Sequence, residues 1–335
     1  MIPHNKPTLN SEEAAAAERV LRSGWVAQGK EVEAFENEFC DFLHIPHGSA
    51  VAVSSGTAAL YLALWSLGAK EKSVAFPAYV CSALRHATSM AGAKEVLVDV
   101  ASGSPNVDIK ALAKSGAAIA IVPHMYGLPV DVSELTGKMD VIEDCAQALG
   151  ATMGKTAVGL NGKVGIYSFY ATKLITTGGQ GGMVVTKDKA LADTIRDFRE
   201  FDCRRDSKPR FNFQMTDLAA AIGREQLKKL PGFLKRRSEI FKMYQDAGLT
   251  LLDSNAGTPV RYRAVLRTSE QKRILDSLAK LKIKAINPLE DWELLGSPEK
   301  FPNAYKLTQE TVSLPVYPSL SNEEVKAIIT GALQS

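Results

Sequence analysis

Along the first two thirds of the chain, short apolar runs alternate with amphipathic stretches. Ser11 reads as an N-cap with Glu12 and Glu13 in the first turn, which predicts a helix reaching Ser23 and stopped by Gly24. A second amphipathic helix is predicted over 31–43, with Val32, Phe35, Phe39 and Leu43 along one side. Buried strands are predicted at 50–53, 73–76, 95–98, 118–122, 139–143, 165–169 and 183–186. Helices are predicted at 58–67, 80–90, 109–114, 190–199 and 217–230. Strands and helices that alternate at this spacing form a mostly parallel sheet covered on both faces, an α/β architecture.

The texture changes near Pro231. A charged helix at 235–247, a strand region at 261–266, a helix at 271–281 and a last helix from Asn322 read as a smaller α+β unit. The expected organisation is therefore a large domain over 1–230 and a small C-terminal domain over 231–335. Ligands of parallel sheets gather at the carboxyl ends of the strands, so candidate chemistry is sought there.

Composition narrows the class. Of 335 residues, 45% are hydrophobic and 23% charged, which suits a soluble globular protein. The net charge of +3 is too small, and its carriers too dispersed, to indicate nucleic acid as a partner. The densest basic stretch runs from Arg204 to Arg210 and resumes at Arg224, Lys228–Lys229 and Lys235–Arg237. It reads as a solvated face or as an attraction for phosphate-bearing ligands. Cys40, Cys81, Cys145 and Cys203 are isolated, which suggests neither a disulfide framework nor a zinc site. Without a leader pattern or a long apolar run, a reducing cytoplasm is the expected compartment and no membrane is expected.

Three strand ends carry candidate chemistry. Ser54-Ser55-Gly56-Thr57 joins a strand to a helix, where free N–H groups attract a phosphate or where an ordinary N-cap turn forms. Glu143-Asp144-Cys145-Ala146-Gln147 ends an apolar strand. Its acid can hold a cationic ring nitrogen, with Gln147 near a phenolic or carbonyl oxygen, or Asp144 can simply cap a helix. Ser168-Phe169-Tyr170-Ala171-Thr172-Lys173 follows another strand, ahead of the glycine-rich run Gly178–Gly182. A lysine amine confined beside other cations is a nucleophile for an aldehyde; an exposed lysine beside a flexible turn is the plainer reading. Gly150–Thr156 imitates a phosphate-binding loop but is one residue too short, and His4, His44, His47, His86 and His124 show no metal-ligand spacing.

Taken in order, these blocks resemble the DegT/StrS-type sugar aminotransferases, which are fold-type I pyridoxal-phosphate (PLP) enzymes. The resemblance begins at Leu21-Arg22-Ser23-Gly24-Trp25 and runs through Ser54–Leu60, His124-Met125-Tyr126-Gly127, Glu143–Ala151, Ser168-Phe169 with Lys173, Asn212–Leu218 and Leu314-Pro315-Val316-Tyr317-Pro318. It implies that Lys173 holds PLP as a Schiff base and shuttles a proton, and that Asp144 pairs with the protonated ring nitrogen. It places Gln147 near the ring oxygen, with Gly56, Thr57 and Ser168 on the phosphate. Tyr79 is implied to stack on the ring, with Phe76 as the alternative. Asn212 is implied to reach the phosphate in a neighbouring subunit, hence a homodimer with shared active sites. The implied reaction moves an amino group from glutamate or glutamine to a keto sugar carried on a nucleotide, for amino-sugar and polysaccharide biosynthesis.

Two other readings share the cofactor. A PLP-dependent sugar dehydratase of this family carries histidine in place of the Schiff-base lysine, so Lys173 opposes it. A non-catalytic PLP-binding regulator has no use for an electron sink, so the intact Lys173, Asp144 and Gln147 oppose that.

Overall fold

The computed structural model describes residues 1–254 and 256–334. Its strands are β1 (Ala50–Val53), β2 (Ser73–Pro77), β3 (Lys94–Val98), β4 (Ile119–Pro123), β5 (Asp140–Asp144), β6 (Thr152–Met153), β7 (Thr156–Ala157), β8 (Val164–Ser168), β9 (Gly182–Val185), β10 (Ala264–Arg267) and β11 (Thr311–Leu314). Its α-helices are α1 (Ser11–Ser23), α2 (Lys30–Leu43), α3 (Gly56–Ser66), α4 (Ala83–Met90), α5 (Ile109–Ala113), α6 (Lys189–Arg199), α7 (Asp217–Asp246), α8 (Gln271–Lys280), α9 (Pro302–Glu310) and α10 (Asn322–Leu333). Among the described residues, no helix is long and apolar enough to cross a membrane.

Seven strands form the central sheet in the order β1-β9-β8-β5-β4-β2-β3. Only β9 runs against its neighbours β1 and β8; the remaining pairings are parallel. The carboxyl ends of β1, β2, β4, β5 and β8 therefore share one edge with the amino end of β9. The registers Val53↔Gly182, Ser168↔Gly182, Ile166↔Asp144 and Pro123↔Asp144 align that edge.

Strand side chains alternate between the two faces. Val51 and Val53 pack with Leu60 and Leu64 of α3 and Ile195 of α6. Ala50 and Ala52 pack on the other side with Phe35 and Phe39 of α2 and Leu227 of α7. A further apolar cluster joins Ile240, Phe241 and Tyr244 of α7 to β10, β11, α8 and α10.

Several expectations change. The N-cap of α1 is Asn10, not Ser11, and its N–H donates to the Glu13 carboxylate at 2.9 Å. The predicted break at Pro231 is absent, because α7 runs through the proline for 30 residues. Proline withholds one helical N–H, but Pro231 and Gly232 are exposed, and burial of Leu227 and Leu230 before them and Ile240 after them anchors both halves. The phosphate-loop imitation forms the β6–β7 hairpin, turned by Gly154 at φ 57°. Helix α9 and strand β11 had no sequence expectation.

Candidate active site

A cavity of about 250 Å³ lies at the shared strand edge. Each of its chemical groups arrives on a separate strand end. β1 delivers the start of α3, β4 delivers His124, β5 delivers Asp144 with Gln147 behind it, and β8 delivers Ser168 and, five residues on, Lys173. Leu60, Val80, Leu84 and Ile166 supply apolar walls.

Ser55 caps α3, its hydroxyl accepting from the Ala58 N–H at 3.1 Å. The N–H groups of Gly56 and Thr57 precede the first intrahelical bond and suit an anion. A side chain at Gly56 would put its Cβ 2.8 Å from Ser168 Cβ and 3.0 Å from its Oγ. Glycine there lets the helix start approach the Ser168 hydroxyl closely, so that N–H and hydroxyl donors face the same cavity.

Asp144 is buried, with Oδ1 accepting the Ala146 N–H at 2.9 Å. Burial pushes its carboxyl above the usual range, although the Ala146 N–H and the charge of Lys173 pull the other way. The adjacent Glu143 is also buried, yet sits below the usual range: burial raises it, but His124 and backbone N–H groups outweigh that. Its partners are His124 Nε2 at 3.0 Å and the N–H groups of Asn161 and Gly162, both at 2.7 Å. Because His124 Nδ1 accepts from the Val130 N–H at 3.0 Å, the Nε2 proton is the one facing Glu143.

Gln147 Oε1 accepts the Tyr126 N–H at 2.8 Å, so its amide NH₂ is the group left to donate. Tyr126 itself has left-handed backbone, φ 61°, in the turn that follows β4. Lys173 Nζ lies 5.3 Å from the centroid of the Tyr262 ring. Burial raises the Tyr262 hydroxyl, but the charges of Lys173, Arg263 and Arg237 bring it below its ordinary value.

Gly56, Thr57, Asp144, Gln147, Ser168 and Lys173 thus line one cavity. Tyr79 does not. It is fully buried behind the wall with its hydroxyl 2.7 Å from that of Tyr126, and Val80 and Cys81 face the cavity instead. The reason is local: α4 begins at Ala83 rather than residue 80, so Val80 and Cys81 lie in the turn after β2 and face the cavity. Phe76 is likewise fully buried, outside the lining. Asn212 is exposed and outside this cavity, beside Phe213, whose carbonyl accepts the Ser54 N–H.

Much of the basic stretch is spent internally. Arg204 pairs with Asp197 and Glu200, Arg210 with Asp197 and Asp206, and Arg224 with Glu31 and Glu38. Arg237 is buried and donates to the carbonyls of Tyr262 and Val316. Residues missed by the sequence reading are Tyr262 and Arg263, which share a second space with Lys173. They lie some ninety residues further along and carry no local signal.

The chain is 31% identical to GDP-perosamine synthase of Escherichia coli O157:H7, over 97% of this chain and 95% of that protein. It is also 31% identical to the spore coat polysaccharide biosynthesis protein SpsC of Bacillus subtilis (strain 168), over 98% and 95%. The crystal structure of an aminotransferase TlmJ from Streptoalloteichus hindustanus matches with a TM-score of 0.93 at 28% identity, covering both chains fully. The DegT/DnrJ/EryC1/StrS aminotransferase family model matches residues 7–332, and the chain belongs to that family of PLP-dependent sugar aminotransferases.

Proposed function

We propose that the protein moves an amino group from glutamate or glutamine to a nucleotide-linked keto sugar, with PLP bound covalently to Lys173. The observation that carries this is the convergence of Lys173, Asp144 and the Gly56–Thr57–Ser168 cradle on one cavity. The donor set suits the cofactor: a cradle for its phosphate, an acid for its ring nitrogen, an amide donor for its ring oxygen and an amine for its aldehyde. When bound, PLP supplies an electron sink for the carbon that gains or loses the amino group.

The protein's own residues do the rest. Gly56, Thr57 and Ser168 hold the phosphate end through N–H and hydroxyl donors. Burial raises the Asp144 carboxyl, and a protonated ring N–H opposite it would favour its charged form, which in turn would keep that nitrogen protonated. Gln147 directs its NH₂ at the ring oxygen because Tyr126 holds its carbonyl. Lys173 would hold the cofactor through its amine and, when that amine is free, would serve as the base that moves a proton at the substrate carbon. Leu60, Val80, Leu84 and Ile166 keep water from those transfers.

The same reading makes the active unit a homodimer in which Asn212 reaches the partner's site, divides the chain at 230/231, and places it in the cytoplasm. The exposure of Asn212 and the separate apolar cluster around Ile240 and Phe241 support the first two. The acceptor is tested by following ¹⁵N from labelled glutamate or glutamine into a panel of nucleotide-linked keto sugars. Label in the sugar is expected. A protein that takes the amino group yet delivers it to none of them would overturn the acceptor class. Full activity in a sedimenting monomer would overturn the shared site.

A further inference from the structure

After β8 ends at Ser168 the chain is irregular until β9 begins at Gly182, and Lys173 lies in that stretch. Burial of Leu174 and Ile175 anchors the residues that follow the lysine. On the other side, the peptide that joins Thr172 to Lys173 offers its carbonyl. Among the described residues, the one donor to that carbonyl is Asn5 Nδ2, at 2.7 Å and 167 positions away in the chain.

The stretch before α1 presents this amide in a fixed sense. Asn5 Oδ1 accepts the Lys6 N–H at 2.8 Å, so the NH₂ is the end aimed at Thr172. On one side, Ile2 exchanges backbone bonds of 2.9 Å with Lys282 and Lys284, and His4 Nε2 lies 2.8 Å from the Ser313 hydroxyl of β11. On the other, the Thr8 carbonyl accepts from Gln226 of α7 at 2.8 Å. Pro3 and Pro7 flank Asn5 and restrict how the segment bends. Asn5 is thus held by the last third of the chain and by α7, apart from the strand ends that deliver Asp144 and the phosphate donors.

The bond supplies placement more than satisfaction. A cavity of about 80 Å³ is lined by His4, Asn5, Thr172 and Tyr262. It has the room and the polar groups to take a water, so a Thr172 carbonyl without Asn5 would be hydrated there. A water fills the carbonyl's need but ties it to no second element of the fold. The lysine side chain has four rotatable bonds, and fixing its backbone restricts the positions its amine visits.

We propose that Asn5 is a positioning residue for Lys173: its amide fixes the Thr172 carbonyl and thereby the backbone from which Nζ meets the cofactor aldehyde. The proposal rests on the reading of Lys173 given above and adds the part of the chain that places it.

The test compares two ligands on PLP-free protein. PLP carries the aldehyde that Lys173 captures. Pyridoxine phosphate has the same ring and phosphate with an alcohol in place of the aldehyde, so it occupies the site without bonding to the lysine. Capture is read as growth of the visible band against PLP concentration, and pyridoxine phosphate binding is read by calorimetry. In Asn5→Leu, similar in size and without a donor, the half-saturating PLP concentration should rise about 3- to 10-fold, the contribution of one neutral hydrogen bond. The Kd for pyridoxine phosphate should stay within about twofold of wild type, because the ring and phosphate contacts are untouched. Asn5→Gln, which keeps the amide, should recover part of the PLP affinity. Should Asn5→Leu fail to fold, Asn5→Asp, which keeps the acceptor for Lys6 and loses the donor, carries the comparison by the same criteria. PLP capture equal to wild type overturns the proposal, as does an equal loss for both ligands, which marks a contact that supports the whole site rather than the lysine. Either result leaves the aminotransferase reading intact. Wild-type protein that binds pyridoxine phosphate yet forms no band with PLP would instead remove the reading of Lys173 itself.

Discussion

Glu143 and Asp144 are consecutive residues at the end of β5, both buried, and the protein treats them in opposite ways. Glu143 meets three N–H donors, from His124, Asn161 and Gly162, and is held ionised below the usual range. Asp144 meets one, from Ala146, and burial pushes it up. Alternation along the strand explains the difference. Val141 points into the cluster with Ala120 and Val122, and Glu143 follows it two residues on. Ile142 points into the cluster with Ile121 and Ile166, and Asp144 follows it toward the cavity. One carboxylate is completed by the protein and serves the fold. The other has a single N–H donor, and its burial outweighs the charge of Lys173, an imbalance that a protonated cofactor ring would offset.

The largest way to break the site side of this comparison is Lys173→Ala. Turnover should fall by about 10³-fold or more, as when a nucleophile and proton carrier is removed, and the visible band of lysine-bound PLP should vanish while the protein stays folded by circular dichroism. Asp144→Asn should follow, at about 10²-fold in kcat, because the amide keeps the shape and loses the charge. Its stability without cofactor should equal or exceed wild type near neutral pH, measured as the urea midpoint.

Glu143→Gln should do the reverse. The glutamine amide would point donors at either His124 or the Asn161 and Gly162 N–H groups, costing about 2–3 kcal/mol of stability, with kcat per folded molecule within about threefold of wild type. The pH dependence sharpens the contrast. Glu143 lies below its ordinary 4.5, so its stabilisation is present above that pH and is lost as pH falls through the lowered value. Asp144 lies above its ordinary 3.8, so without cofactor it costs stability increasingly as pH rises past 3.8 toward the raised value. Urea midpoints of the two variants against pH should therefore diverge from wild type in opposite senses.

The smallest effect belongs to Tyr79→Phe. It removes the hydroxyl contact with Tyr126, costing about 1 kcal/mol, and should leave the absorbance of bound PLP unchanged, since Tyr79 stands behind the cavity wall.

The sheet was legible because most of its strands are short apolar runs, the first of them alternating with helices, and strand ends then led to Asp144, Ser168 and Lys173. Pro231 misled because its propensity for ending a helix is local, whereas what holds α7 together is burial on either side of it. Tyr79 misled because a strand-end aromatic gives no sign of which way a three-residue turn will carry it.

The central claim, that Lys173 and Asp144 operate PLP as an amino-transfer site, is tested most directly by the absorbance spectrum of the PLP-loaded protein before and after glutamate or glutamine is added. The account predicts a visible band that is absent in Lys173→Ala and that one of these donors shifts into the ultraviolet in wild type. A folded wild-type protein that shows no such band, or a band of equal strength in Lys173→Ala, would contradict it.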